Sequence, residues 1–167
     1  MSCPTAPVDG SAVLRRELAM DETALALLFA ADRLDHLERE IRPALSEGKL
    51  VLTDRYLLSS LAYQSLATPL PFVRQINRHA QLPDVSYLLR LPASTAAHRR
   101  ELRGGPTEHF DALTQQEKIS TAYDAVAALD DVGDVEIVDA TAPLAAVTDA
   151  ILARLWPRIE KARRAQA

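Results

Sequence analysis

LVLTDRYLLSSLAYQ, residues Leu50 to Gln64, sets an apolar run, an Asp-Arg-Tyr corner and a helix in direct succession. Leu50-Val51-Leu52 is short, apolar and partly β-branched, the pattern of a buried parallel strand rather than a half-exposed one. Its C-terminal end delivers Asp54 and Arg55, and in an open parallel sheet that end is where ligands bind. Arg55 carries a planar fork of N–H donors suited to phosphate oxygens. It stands just before a helix N-terminus, which itself favours anions. Ser59, Ser60 and Tyr63 follow, with Ser60 and Tyr63 one turn apart on a shared face. The corner suits a phosphorylated small molecule.

Outward from this stretch the chain alternates helices and strands. Asp21 is the expected N-cap of a long helix from about Glu22 to Leu45, kinked near Pro43 and stopped by Gly48. On it Phe29, Arg33 and Leu37 recur at four-residue steps and so share a face. Before it, Met1 to Ser11 reads as a loop and Ala12 to Leu18 as a short helix. After the corner, helices are expected over 59–67 and 72–79, then a second buried strand over Val85 to Leu91. A charged helix over 94–102, a turn-rich segment from Arg103 to His109 and a long helix over 110–129 come next. Val135 to Asp139 is the third strand and Pro143 to Leu155 the last helix, with residues 160–167 a frayed charged tail. The alternation predicts an α/β fold, a parallel sheet of three recognisable strands covered by helices.

The 167 residues suit a single domain able to bury a core. A net charge of −4 without any block of lysine or arginine argues against nucleic acid as the main partner. The single cysteine, Cys3, leaves no internal disulfide framework and fits a reducing compartment. No apolar segment approaches the roughly 20 residues needed to cross a bilayer, and the start lacks a secretory pattern. A cytoplasmic location is expected. No metal site is expected: Asp111 alone is little sign of a ligand, and His36, His79 and His98 have no spacing partner and read as surface residues.

The single side chains keep two readings each. Arg55 binds a phosphate, or it caps a helix or pairs with Asp32 or Asp54. Phe29 and Tyr63 fill a core or stack on a ligand. Arg33 is solvated on a charged helix face or reaches into a site. Tyr123 reads as core.

Three local patterns in this order resemble the thymidylate kinases, a branch of the P-loop nucleoside monophosphate kinases. They are LLFAADR (Leu27 to Arg33) with the turn from Ile41 to Gly48, DRYLLSSLAYQ (Asp54 to Gln64), and LPDVSYLLRLP (Leu82 to Pro92) leading to a helix with Arg99. The closing stretches TEHFDALTQQEKISTAYDAV and VEIVDATAPLAAVTDAI also fit the family. The resemblance implies phosphoryl transfer from ATP to thymidine monophosphate with Mg2+. It implies that Phe29 stacks on thymine, that Arg33 reaches the nucleotide, and that Arg55 binds the acceptor phosphate with Asp54 beside it. Ser60 would contact the base, Tyr63 would favour a deoxyribose, and Arg99 with Arg103 would belong to a lid over the donor phosphates. A homodimer through apolar helix faces is a further implication.

The departures matter as much. The family's Gly-x-x-x-x-Gly-Lys-Ser/Thr loop, which holds the donor phosphates, occurs nowhere in these residues. Thr5-Ala6-Pro7 stands where relatives carry Arg-Glu-Pro, Arg90 at a strand aspartate, and His109-Phe110-Asp111 at an arginine-aromatic-glutamate run. Relative to the family the sheet is therefore expected to be incomplete, lacking the first strand, P-loop and helix. The acceptor half of the site would be retained without the ATP half, and little intrinsic kinase activity is expected. The alternative is a catalytically inactive nucleotide-binding or protein-interaction module.

Overall fold

The computed structural model describes residues 20–103 and 113–165. The expectations for 1–19 and 104–112 lie outside the described residues. The chain divides into two compact units, Met1–Gln81 with Gly104–Ala128, and Leu82–Arg103 with Leu129–Ala167.

The first unit is helical where it is described. Helix α1 (Glu22–His36) starts where Asp21 Oδ1 accepts from the backbone N–H of Thr23 at 2.9 Å and of Ala24 at 3.1 Å. Two of the helix's otherwise unpaired N–H groups are met this way, so Asp21→Ala is expected to cost about 1 kcal/mol in denaturant unfolding. The long helix expected over 22–45 is interrupted by a π turn at Leu37–Ile41, where Arg42 N–H reaches back to the Leu37 carbonyl, before α2 (Arg42–Ser46). Gly48, at φ +73°, ends it as expected: Gly48 N–H bonds the Leu45 carbonyl and Lys49 N–H the Ala44 carbonyl. That pairing is a Schellman motif, which needs a left-handed residue and therefore favours glycine.

Helices α3 (Leu57–Gln64) and α4 (Leu70–Ile76) follow, and α6 (Leu113–Ala127) returns to the same unit. Helix α3 packs against α1, α4 and α6. Leu57, Leu58, Leu61 and Ala62 of α3 are buried, as are Ala26 and Ala30 of α1, Leu37 of the π turn, Val73 of α4, and Ile119 and Val126 of α6. Ala26 and Ala62 are both fully buried, so the small side chains allow α1 and α3 close approach.

One expectation fails here. Leu50 to Thr53 is not a strand, and Leu50 and Leu52 are 64% and 85% exposed. A strand is defined by a neighbour's N–H and C=O groups, and no described segment of this unit supplies them. The segment runs into the Asp-Arg-Tyr corner without a ladder.

The second unit holds the sheet. Strands β1 (Ser86–Arg90) and β2 (Val135–Asp139) pair in parallel from Ser86 opposite Val135 to Arg90 opposite Asp139. Helix α5 (Ala93–Arg103) follows β1, and α7 (Leu144–Ala165) packs on β2. Val132, Val138, Ala140 and Val147 form its buried centre. The described sheet therefore has two strands where three were expected. Helix α7 runs through the charged stretch expected as a frayed tail, with Trp156 Nε1 donating to Glu160 Oε1 across one turn at 2.9 Å. No described helix is long and apolar enough to cross a membrane.

Candidate functional site

Within the first unit an open cavity of about 470 Å³ is walled by α1, by residues 52–56 and by α3. Phe29, Arg33, Asp54, Arg55, Ser60 and Tyr63 all line it, although the sequence places them on three separate segments. The wall forms because Phe29 and Arg33 lie one turn apart on α1, while the corner turns the chain directly into α3, which presents Ser59, Ser60 and Tyr63.

Arg33 is held on three sides. Nη2 donates to Ser60 Oγ, Nε donates to Asn77 Oδ1 at 3.1 Å, and Cζ lies 4.9 Å from the centroid of the Tyr56 ring. Burial lowers the Arg33 pKa from its ordinary value, with Tyr56 and Asp32 acting in the opposite sense. A guanidinium starts so high that it remains cationic. Burial likewise raises the Tyr56 phenol, opposed by the Arg33 and Arg42 charges.

Arg55 sits at φ +62°, the one positive-φ residue other than glycine among the described residues. Such a conformation costs an L-residue roughly 1 kcal/mol. Its guanidinium lies over the Tyr63 ring, Cζ 4.9 Å from the centroid, and Nη2 donates to the Tyr63 hydroxyl at 3.3 Å. Among the described residues no carboxylate comes within ion-pair distance of Arg55, neither Asp32 nor Asp54. Tyr63 meets Tyr123 of α6 edge to face, with centroids 6.0 Å apart, and the Tyr123 hydroxyl shares a 2.6 Å hydrogen bond with Ser59 Oγ.

Burial raises the Tyr123 phenol, with the Ser59 hydrogen bond acting against it. A phenol whose pKa is raised on folding contributes stability that is complete below the unfolded value near 10 and is lost as pH climbs through the folded value. Denaturant midpoints are therefore expected to fall from about pH 10 upward, and Tyr123→Phe is expected to flatten part of that decline.

The other expected site residues lie elsewhere. Arg99 on α5 spends its guanidinium within the second unit, donating to the carbonyls of Ala140 at 2.7 Å and Thr141 at 3.0 Å. The Arg103 side chain is outside the described residues. His36, read from sequence as a surface residue, lines the cavity and pairs with Glu40 at 3.4 Å. Among the described residues no three His, Cys, Asp or Glu side chains converge to hold a metal ion.

Sequence reasoning missed Asn77, Gln64 and Tyr56. Gln64 lines the cavity with a buried Oε1 that has no hydrogen-bond partner among the described residues. Asn77 is 44 residues from Arg33, and Tyr123 is 64 from Ser59. No local periodicity could join them.

The mixed α/β architecture, with parallel strands and covering helices, belongs to the P-loop-kinase-like class. The thymidylate kinase family model matches residues 10–151. Relatives include a probable thymidylate kinase of Pyrococcus abyssi, 41% identical over 131 residues, covering 78% of this chain and 63% of the relative. A putative thymidylate kinase of Treponema pallidum is 40% identical over 116 residues, 68% of this chain and 56% of that protein. The chain belongs to the thymidylate kinase family. It spans between about half and two-thirds of the length of these curated relatives.

Proposed function

We propose that the cavity of the first unit is an acceptor site for thymidine 5′-monophosphate. The observation that carries this reading is the state of its two arginines. Both face one cavity, and both rest on neutral partners, Arg33 on Ser60, Asn77 and Tyr56, and Arg55 on Tyr63. Among the described residues neither charge is spent on a carboxylate, so each is available to an anionic or carbonyl-bearing ligand. Arg55, just ahead of α3 and its N-terminal N–H groups, binds the phosphate. Phe29 stacks on the base, Ser60 and the buried Gln64 Oε1 meet its polar edge, and Tyr63 packs against the sugar. Arg33 reaches the nucleotide from α1. Asp54 stands beside the phosphate.

The family implies MgATP as phosphoryl donor. The residues present do not fit that group: the sequence holds no Gly-x-x-x-x-Gly-Lys-Ser/Thr loop. The described residues also bring no metal-ligating cluster together. No transfer step is assigned to them. Arg90, at a strand position where the family carries aspartate, favours a second reading of the 167 residues as a nucleotide-binding module without turnover.

Calorimetric titration with thymidine monophosphate tests the acceptor site, and a coupled assay of the same chain with MgATP tests turnover. Saturable binding without turnover supports the module reading. Turnover by the 167 residues overturns it, and absence of binding overturns the acceptor site.

A further inference from the structure

The Arg33 guanidinium faces the cavity, but the residue that aims it stands behind the cavity wall. Asn77, which ends α4, is 5% exposed and is not part of the lining. Its Nδ2 donates to the Val73 carbonyl one turn back at 2.9 Å, while Oδ1 accepts from Arg33 Nε at 3.1 Å. The first bond fixes which way the amide faces, since an oxygen turned toward the Val73 carbonyl would be repelled. Oδ1 is thereby committed to Arg33.

The Nε bond matters because of guanidinium geometry. Held at Nη2 alone, the planar group pivots about that contact. Held at Nε and Nη2, with its face on the Tyr56 ring, it has one orientation. Of the five N–H groups of an arginine, two are then spent among the described residues and the others remain for a ligand. The amide is neutral, so it fixes direction without neutralising the cation.

We propose that Asn77 is a positioning residue, holding Arg33 Nε so that the remaining guanidinium N–H groups face the ligand of the cavity. The proposal rests on the acceptor-site reading above for the ligand's identity, and on the geometry alone for the orientation of Arg33.

The test uses the 167-residue chain with Asn77→Leu, Asn77→Asp, Arg33→Lys and the Asn77→Leu/Arg33→Lys double variant. The readouts are the Kd for thymidine monophosphate and the solvent protection of the Arg33 Nε–H resonance in ligand-free protein, assigned by its loss in Arg33→Lys. Lysine places a methylene where arginine has Nε, so Asn77 has nothing to hold there. Asn77→Leu is expected to unprotect Nε–H and to weaken binding roughly tenfold, the scale of one hydrogen bond to a charged group. Asn77→Asp still offers Nε an acceptor and is expected to keep Nε–H protected, while its second oxygen faces the Val73 carbonyl and its charge opposes the Arg33 cation, so ligand binding is expected to weaken. In the Arg33→Lys background Asn77→Leu is expected to change Kd by less than about twofold, as follows when one residue acts through the other. Asn77→Ser, too short to reach Arg33, repeats the test if Asn77→Leu does not fold.

An Nε–H equally protected without Asn77, or an equal loss of affinity in both backgrounds, overturns the proposal and leaves the acceptor site standing. If the parent chain takes up no thymidine monophosphate while Nε–H still depends on Asn77, the positioning role holds and the acceptor-site reading falls.

Discussion

Arg55→Ala is expected to weaken thymidine monophosphate binding by roughly a hundredfold, because each hydrogen bond to a charged group contributes about 1.5–3 kcal/mol and every tenfold corresponds to about 1.4 kcal/mol. Arg55→Lys keeps the charge but loses the planar fork, so it is expected to fall between the two. Stability is expected to move differently. Arg55 occupies a left-handed backbone conformation at φ +62°, which glycine adopts without penalty. Arg55→Gly is therefore expected to weaken binding as much as Arg55→Ala while holding or raising unfolding stability by up to about 1 kcal/mol. Titration calorimetry and denaturant unfolding on the same samples check both halves. An Arg55→Ala chain that binds within about threefold of the parent would show that the phosphate lies elsewhere.

The second large effect concerns the other side of the same helix. Leu61, 2% exposed, belongs to the inward face of α3, whose cavity side carries Ser60 and Tyr63. Leu61→Ala removes buried methyl groups and leaves a void between packed helices, so a loss of about 3 kcal/mol is expected, within the usual 2–5 for such a change. Denaturant unfolding reads it as a lowered midpoint with little change in slope. Nucleotide affinity is expected to fall less than in Arg55→Ala, since Leu61 touches the site only through the helix it anchors.

What the sequence disclosed depended on how local the cause was. The cap at Asp21 and the stop at Gly48 were legible because each needs one residue type at one place. The strands at 86–90 and 135–139 were legible from short apolar runs between turn residues. Leu50 to Thr53 has the same apolar character and forms no strand, because pairing depends on a neighbour that its own composition cannot supply. At the end of α7 the exposed charges told nothing of the contact by which Glu160 accepts from Trp156 one turn earlier. At the site, Phe29, Arg33, Arg55, Ser60 and Tyr63 stood out in short runs, and the structure brings them to one cavity. Their supports did not stand out. Asn77 and Tyr123 reach the site only through folding, across 44 and 64 residues.

The π turn at Leu37–Ile41 bears on how this protein tolerates changes in length. Such a turn accommodates one residue more than a regular α-helical turn would. Deleting one residue there would let the helix close up as ordinary α-helix, with the segments on both sides keeping the faces they now bury. The same deletion between Ala26 and Arg33 would swing Arg33 about 100° around the axis relative to Ala26. Relatives that differ by a single residue in this helix would thus be expected to carry the gap within residues 37–41.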